Sequence, residues 1–401
     1  MKEPKIINFG CRLNVCESDM IENIARNYGM SDCVIINTCA VTGEAERQVK
    51  QCIRREHKEN PSAKIILTGC ASSRDPQYYA SMEGVVAVIE NGAKLSDSSY
   101  SMFKTQNVLP KKHIKNVRHY VQIQNGCDNH CTYCIVRITR GSSISFDKEN
   151  ILHTIRDIID NHQFDGPCEI VLTGVNVSSY YRDGMTISGL ILYILENEPR
   201  LSRLRLSSMD PADIDDHFID VFCSSKRVMP HLHMSIQSGD NMILKRMRRR
   251  HTRDDIIKIS NAILEKRPET VIGADFITGF PTETEEMFEN TCKLISEASI
   301  ALTHIFPYSE RPDTPAALMP QIEKSIRKER ARRLIKISDE FLNCVLKKKI
   351  GAEISILAED EHRGKTNSYL SVYTDDIMLP GRLYKAIVID AADGVLKAKV
   401  I

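Results

Sequence analysis

Three short apolar runs open the chain, at residues 6–9, 34–36 and 65–67, and each is followed within three residues by a cysteine: Cys11, Cys39 and Cys70. The steps between these cysteines are 28 and 31 residues, about one strand–helix–strand unit of ~30 residues. Helical patterns fill the gaps, over 18–28 and 43–60. The spacing predicts short buried parallel strands and an α/β, three-layer parallel-sheet domain over residues 1–105. Ligands of an open parallel sheet bind beyond the carboxyl ends of its strands, so three thiols far apart in sequence are expected to converge there. An isolated cysteine is usually a small buried hydrophobe, and that reading is given to Cys16, Cys33, Cys52, Cys168, Cys223, Cys292 and Cys344. The regular placement of Cys11, Cys39 and Cys70 favours an iron–sulfur cluster held by three thiolates.

A tighter triplet follows, Cys127, Cys131 and Cys134, spaced C-x3-C-x2-C. Three thiolates in one loop can hold three corners of a cubane cluster, which leaves the fourth iron open for chemistry. Zinc would need a fourth nearby ligand; His130 lies between the first two cysteines, but the spacing fits no common zinc pattern. Thirteen cysteines without an export-type leader argue against a disulfide framework and for metal binding in a reducing, cytoplasmic setting. The triplet, with Tyr133 before its last cysteine, resembles the radical S-adenosylmethionine (SAM) superfamily. The resemblance implies that the open iron chelates SAM and that one electron cleaves it to a 5′-deoxyadenosyl radical. No side-chain acid or base is then expected to be catalytic, since the difficult chemistry belongs to the cofactors.

The chain has 401 residues, 42% of them hydrophobic, enough for two or three domains. No apolar run is long enough to span a bilayer, so no membrane partner is expected. A net charge of +1 excludes nucleic-acid binding driven by overall charge and leaves room for local patches. Residues 245–253 carry six Lys or Arg, and Arg248, Arg249 and Arg250 are candidates for phosphates or the SAM carboxylate. A second basic run, 324–333 with Lys347, Lys348 and Lys349, reads equally well as a solvated helix face.

Strands and helices alternate from about residue 113 to 345. Strands are expected at 120–124, 169–173, 203–207, 231–236, 271–277 and 301–306, with helices near 148–161, 187–196, 213–224, 253–266 and 283–298. Six such units predict an open (β/α)6 barrel whose active end is the carboxyl end of its strands. The groups there are Thr173 and Gly174, Ser207, Gln237, and the segment from Asp275 through Gly279 and Phe280. Gly, Ser and Asp also populate ordinary turns; what raises these groups is their regular placement after successive strands. Within the superfamily, the resemblance implies that they contact SAM together with Tyr133. After a helical stretch over 321–348, short alternating runs over 347–401 predict a small antiparallel β domain.

The surroundings of the first triplet, Gly10-Cys-Arg-Leu-Asn14, Asn37-Thr-Cys39 and Thr68-Gly-Cys70, are similar to the N-terminal domain of the methylthiotransferases, and the C-terminal pattern resembles their RNA-binding TRAM domain. That similarity implies two [4Fe–4S] clusters, two SAM per turnover, a sulfur donor, and a reductant such as flavodoxin or ferredoxin. The substrate would be the tRNA anticodon stem-loop, its target base drawn from the stack. One SAM would give a methyl group to sulfur beside the first cluster; the other would remove hydrogen from adenine C2. Arg363 and Lys365 are expected on an RNA-facing loop. Gln48-Val-Lys-Gln-Cys-Ile-Arg54 and Met229-Pro-His-Leu-His233 resemble the branch acting on N6-threonylcarbamoyladenosine at position 37. The alternatives are the isopentenyladenosine branch, the ribosomal-protein branch, and a non-catalytic Fe–S or zinc RNA-binding protein.

Overall fold

The computed structural model describes residues 3–104 and 116–401. The expected domain boundary between 105 and 113 lies outside the described residues. The chain forms two compact units, one built from 3–104, 125–144 and 309–317, the other from 116–124, 145–308 and 318–401.

In the first unit β1 (Lys5–Asn8), α1 (Arg12–Asn27), β2 (Cys33–Thr38), α2 (Gly43–Glu59), β3 (Lys64–Gly69), α3 (Cys70–Arg74) and β4 (Val85–Ile89) follow one another. The strands make one parallel sheet in the order β1-β2-β3-β4. Side chains alternate across a strand. Val34, Ile36, Ile65 and Leu67 therefore pack on α2 through Val49 and Ile53. Ile35 and Ile66 face the other way, onto Ile21, Ile24 and Ala25 of α1. A run apolar at every position is what a strand covered on both faces requires. The edge strand β4 was not among the expected elements. The short helix α4 (Val136–Arg140) completes this unit, and Ile135 just before it joins the α2-side core.

The second unit alternates β5 (Arg118–Gln122), α5 (Lys148–Asp160), β6 (Glu169–Thr173), α6 (Ile187–Asn197), β7 (Arg203–Leu206), α7 (Asp216–Ser224), β8 (His231–Gln237), α8 (Arg253–Lys266), β9 (Val271–Thr278), α9 (Glu285–Glu297) and β10 (Ile300–Pro307). These strands pair in parallel, in two three-stranded sheets, β7-β6-β5 and β8-β9-β10. Single bridges, Leu204 to Val228 and Met209 to Met234, join the β7 region to the β8 region. Helix α7 starts three residues later than expected. The cause is local: Asp215 caps it by accepting from the Phe218 amide, and Pro211–Asp213 forms a separate turn.

After α10 (Lys324–Lys347), the strands β11 (Glu353–Ala358), β12 (Arg363–Thr366), β13 (Ser371–Tyr373), β14 (Leu383–Ala392) and β15 (Val395–Val400) close into a small barrel, ordered β11-β12-β13-β15-β14. One pair, β13 with β15, is parallel, which departs from the antiparallel expectation. Strand β12 replaces the expected loop. Its pattern Arg-Gly-Lys-Thr shows no apolar alternation because Gly364 and Thr366 supply the inward face. Among the described residues no helix is long and apolar enough to cross a membrane.

Candidate functional site

The register of the first sheet pairs Asn8 with Asn37 and Thr38 with Gly69. Cys11, Cys39 and Cys70 therefore stand beyond the ends of three neighbouring strands. Gly10 and Gly69 hold positive φ of 100° and 97°, and an added Cβ at Gly10 would lie 2.7 Å from the Cys39 sulfur. At Gly69 it would meet the Thr38 backbone at 2.4 Å, so only glycine serves in either turn. Buried amides brace these turns. Asn14 Nδ2 donates to the Phe9 carbonyl at 2.7 Å, and Asn37 Nδ2 donates to the Asn14 carbonyl at 3.0 Å. The Thr38 hydroxyl donates to the Thr68 carbonyl at 2.7 Å and accepts from the Ser72 amide at 3.0 Å.

Arg140 is the charged centre of this unit. Its Nε donates to the Cys70 sulfur at 3.3 Å, and its two terminal nitrogens donate to the Glu17 carboxylate at 2.8 and 2.9 Å. Glu17 is also bound by Lys94, which in turn donates to Asn91 Oδ1 at 2.8 Å; Asn91 Nδ2 donates to the Thr139 carbonyl. All three charged side chains are buried. Burial works to raise the Cys70 thiol, but the Arg140 and Lys94 charges outweigh it and hold Cys70 below the ordinary thiol range. At Cys39 burial prevails over the Val41 amide and the Arg140 charge and pushes the thiol up to about 12. Glu17 is likewise held low: burial opposes its charge and Arg140 overcomes it.

The second triplet lies in the same unit. Gly126, with φ 69°, lets the loop close against Ser142, whose carbonyl would be 1.9 Å from an added Cβ. The Cys127 amide donates to the Gly141 carbonyl and the Cys134 amide to the Cys131 carbonyl, both at 3.1 Å. Cys127, Cys131 and Cys134 are all half-buried, and none of the thirteen cysteines is in a disulfide. His130 lies against the Arg137 guanidinium. Arg140 is six residues from Cys134 along the chain and within hydrogen-bond reach of Cys70, so one side chain ties the segment of the second triplet to the first.

In the second unit the strand-end groups fall into two kinds. Around Gly174 the Gln124 side chain accepts from the Val175 and Asn176 amides at 3.0 and 2.9 Å. Thr173 and Ser207 are buried, the Ser207 hydroxyl without a hydrogen-bond partner, and Gln237 takes a positive φ of 78°. Asp275 accepts from His233 at 2.9 Å, His304 at 3.0 Å and Ser208 at 3.1 Å. Burial disfavours its charge, and His233 and His304 overcome that and hold it well below the usual carboxylate range. Gly279, at φ 68°, admits Arg327 of α10, and Phe280 is fully buried against Tyr308.

The basic candidates are largely occupied. Arg249 is buried and donates to Asp210 at 2.9 Å; Arg250 donates to Asp213 at 2.6 Å; Arg248 is exposed. Lys365 donates to Ser371 at 2.8 Å and lies over the Tyr369 ring, while Arg363 is exposed on β12. Tyr369 also stacks on His231 and receives Arg118 and Arg205 over its ring. The expected RNA-facing loop is thus a strand whose following turn bonds inward: Arg203 donates to Asn367 at 2.7 Å, and Arg205 to the Thr366 and Asn367 carbonyls.

Residues 121–295 match the radical SAM superfamily, and residues 4–90 match a family described as uncharacterized protein family UPF0004. The chain is 41% identical, over 98% of its length and 96% of the relative's, to threonylcarbamoyladenosine tRNA methylthiotransferase MtaB of Rickettsia prowazekii (strain Madrid E). The chain belongs to the radical SAM methylthiotransferase family. Another member, the tRNA-2-methylthio-N(6)-dimethylallyladenosine synthase of Endomicrobium trichonymphae, is 31% identical over 90% of this chain and 89% of its own. The radical SAM methyltransferase TsrM from Kitasatospora setae, solved with tryptophan and a SAM analogue, shares the fold: TM-score 0.55 at 11% identity, covering 76% of this chain and 68% of that one.

A methylthiotransferase carries a [4Fe–4S] cluster and SAM, and the donor set fits: thiols in one half-buried loop, and a Cys70 thiol lowered by the Arg140 and Lys94 charges. Sequence reasoning missed Arg140, Glu17, Lys94, Gln124, His233 and His304. Only Glu17 left a signal. It shares a helix face with Leu13, Ile21 and Ile24, and a charge on an apolar stripe must find a buried partner.

Proposed function

We propose that this chain transfers a methylthio group to C2 of N6-threonylcarbamoyladenosine at position 37 of tRNA. Its greater likeness to the threonylcarbamoyladenosine relative than to the dimethylallyladenosine one carries the choice of nucleoside. In this reading Cys11, Cys39 and Cys70 hold one [4Fe–4S] cluster, and Cys127, Cys131 and Cys134 hold a second that binds SAM. Reduced cluster and SAM supply the one-electron chemistry that an unactivated aromatic C–H bond requires.

The chain's own groups bind and orient. Arg140 holds the Cys70 sulfur and the loop of the second triplet together. Ser207, with its buried hydroxyl unused, and Gln237, in its strained turn, are the strand-end groups best suited to SAM; Tyr133, Thr173, Gly174, Asp275, Gly279 and Phe280 complete that proposed set. We assign residues 1–105 to the first cluster, 113–345 to the SAM barrel, and 347–401 to a TRAM-like RNA-binding domain, with Arg248 and Arg363 as exposed cations for phosphate. A reductant and a sulfur donor complete the cycle.

Mass spectrometry of tRNA nucleosides tests this reading. A deletion strain should lose 2-methylthio-N6-threonylcarbamoyladenosine and regain it with the intact gene. Unchanged levels of that nucleoside, with loss of its isopentenyl counterpart, would move the chain to the neighbouring branch.

A further inference from the structure

Away from the cluster cysteines, β5, the turn after α5 and the start of β6 bring two histidines and a cysteine together. One ring nitrogen of His119, one of His162 and the Cys168 sulfur lie within 4.8 Å of one another. The two rings meet edge to face at 5.7 Å between centroids. Nε2 of His119 and both ring nitrogens of His162 are enclosed, and none makes a hydrogen bond of ordinary geometry; the Gly166 carbonyl stands beside His162. Buried polar atoms without partners are uncommon in folded proteins, and several in one place ask for a missing partner. The other histidine grouping, His233, Asp275 and His304, makes the contrast: its carboxylate already accepts from both rings.

We propose that His119, His162 and Cys168 form a binding site for one transition-metal ion, with zinc best matched to the donors. Two imidazoles and a thiolate are a borderline-soft set, and three protein ligands leave one position open in a tetrahedral site. Burial lowers both imidazoles, His119 to about 4, and so favours the uncharged ring, which is the form that ligates. Cys168, raised by burial to about 12, would release its proton to the ion's field. The ion would pin the turn over 161–168 to β5. That turn carries the C-terminal barrel: Asp165 accepts from Arg382, and Gly166 lies directly against Gly381, where a Cβ would be 1.9 Å from the carbonyl. The site is a clip beneath the β-barrel and takes no part in the cluster chemistry.

The test uses full-length protein with its iron fully loaded. Metal analysis reading zinc, copper and iron together should find about one zinc beyond the iron. Cys168→Ser and His162→Asn should lose that zinc and keep all the iron and SAM cleavage. Cobalt offered to metal-stripped, cluster-loaded protein should give a thiolate-to-cobalt absorption band, absent in Cys168→Ser. The proposal is overturned if wild-type protein takes up neither zinc nor cobalt, if copper occupies the site instead, or if zinc persists unchanged in both variants. Where Cys168→Ser fails to fold, His162→Asn is the second variant in which the band should be lost, and an unchanged band there overturns the assignment.

Discussion

At the scale of single residues, Arg140 makes the most consequential contacts in the first unit. Its guanidinium neutralises Glu17, shares Cys70 and reaches Asn125 at 3.0 Å. Removing one partner of a buried ion pair strands the other charge. Arg140→Ala should therefore cost about 3 kcal/mol or more in urea unfolding, and Arg140→Lys should recover only part, because an ammonium cannot fork across both Glu17 oxygens. Hydrogen bonds to cluster sulfurs also tune potential. Lys94 still binds Glu17 in Arg140→Ala, so Glu17→Gln on that background should lower stability further; a gain would show that Glu17 is uncompensated without Arg140.

Glu169 offers a second residue-scale test, in the other unit. Burial opposes its charge, but Arg205, then Arg118 and Arg203, hold it down to about 2 from 4.5. A carboxylate depressed on folding contributes stability that is fully present above the unfolded value and lost as pH falls through the folded one. The difference corresponds to roughly 3 kcal/mol, lost between about pH 4.5 and 2. Stability followed from pH 6 to pH 2 should fall less steeply in Glu169→Gln than in wild type, although that variant starts lower because three arginines lose their counter-charge. Parallel curves would show that Glu169 does not set the acid limb.

At the scale of elements, turns decide where the cysteines stand. Strands β2 and β3 end within one residue of Cys39 and Cys70, and the left-handed glycine before Cys70 turns the chain into α3. A methyl group at Gly69 would meet the Thr38 backbone at 2.4 Å and the Asn37 side-chain oxygen at 2.6 Å. Gly69→Ala should displace Cys70, and on the proposed two-cluster reading the reconstituted protein should hold about half the iron of wild type. Full iron content in a folded Gly69→Ala protein would detach the first cluster from that turn. The same logic explains why β12 escaped detection: strand signals rest on apolar alternation, and a strand that presents Gly364 and Thr366 inward has none.

At the scale of the whole molecule, the C-terminal barrel is built into its unit. Val271 and Ala301, at the starts of β9 and β10, and Leu346 of α10 share a core with Ile356, Leu370 and Leu396. Tyr369 adds a stacked ring among His231, Arg118 and Arg205. Cutting the chain at residue 350 should uncover that core and leave Arg203 and Arg205 without their carbonyl partners. The shortened protein should unfold at markedly lower urea and expose hydrophobic surface to a dye. A truncation as stable as the full chain would make this barrel an independent module.

What could be read from the order of residues was whatever depends on near neighbours. Apolar runs marked β2, β3 and β6 because a strand buried on both faces must be largely apolar. Cysteine spacing marked both triplets, because three thiols in one loop, or at one step of a repeating unit, leave a periodic trace. Arg140, Glu17 and Lys94 come from three separate stretches, and His119 lies more than 40 positions from the turn that carries His162 and Cys168. Their meaning lies in distances of a few ångströms across 40 to 120 positions of chain. Low local dielectric makes such buried charges and lone nitrogens costly unless matched, and only the packed strands and helices bring the match about.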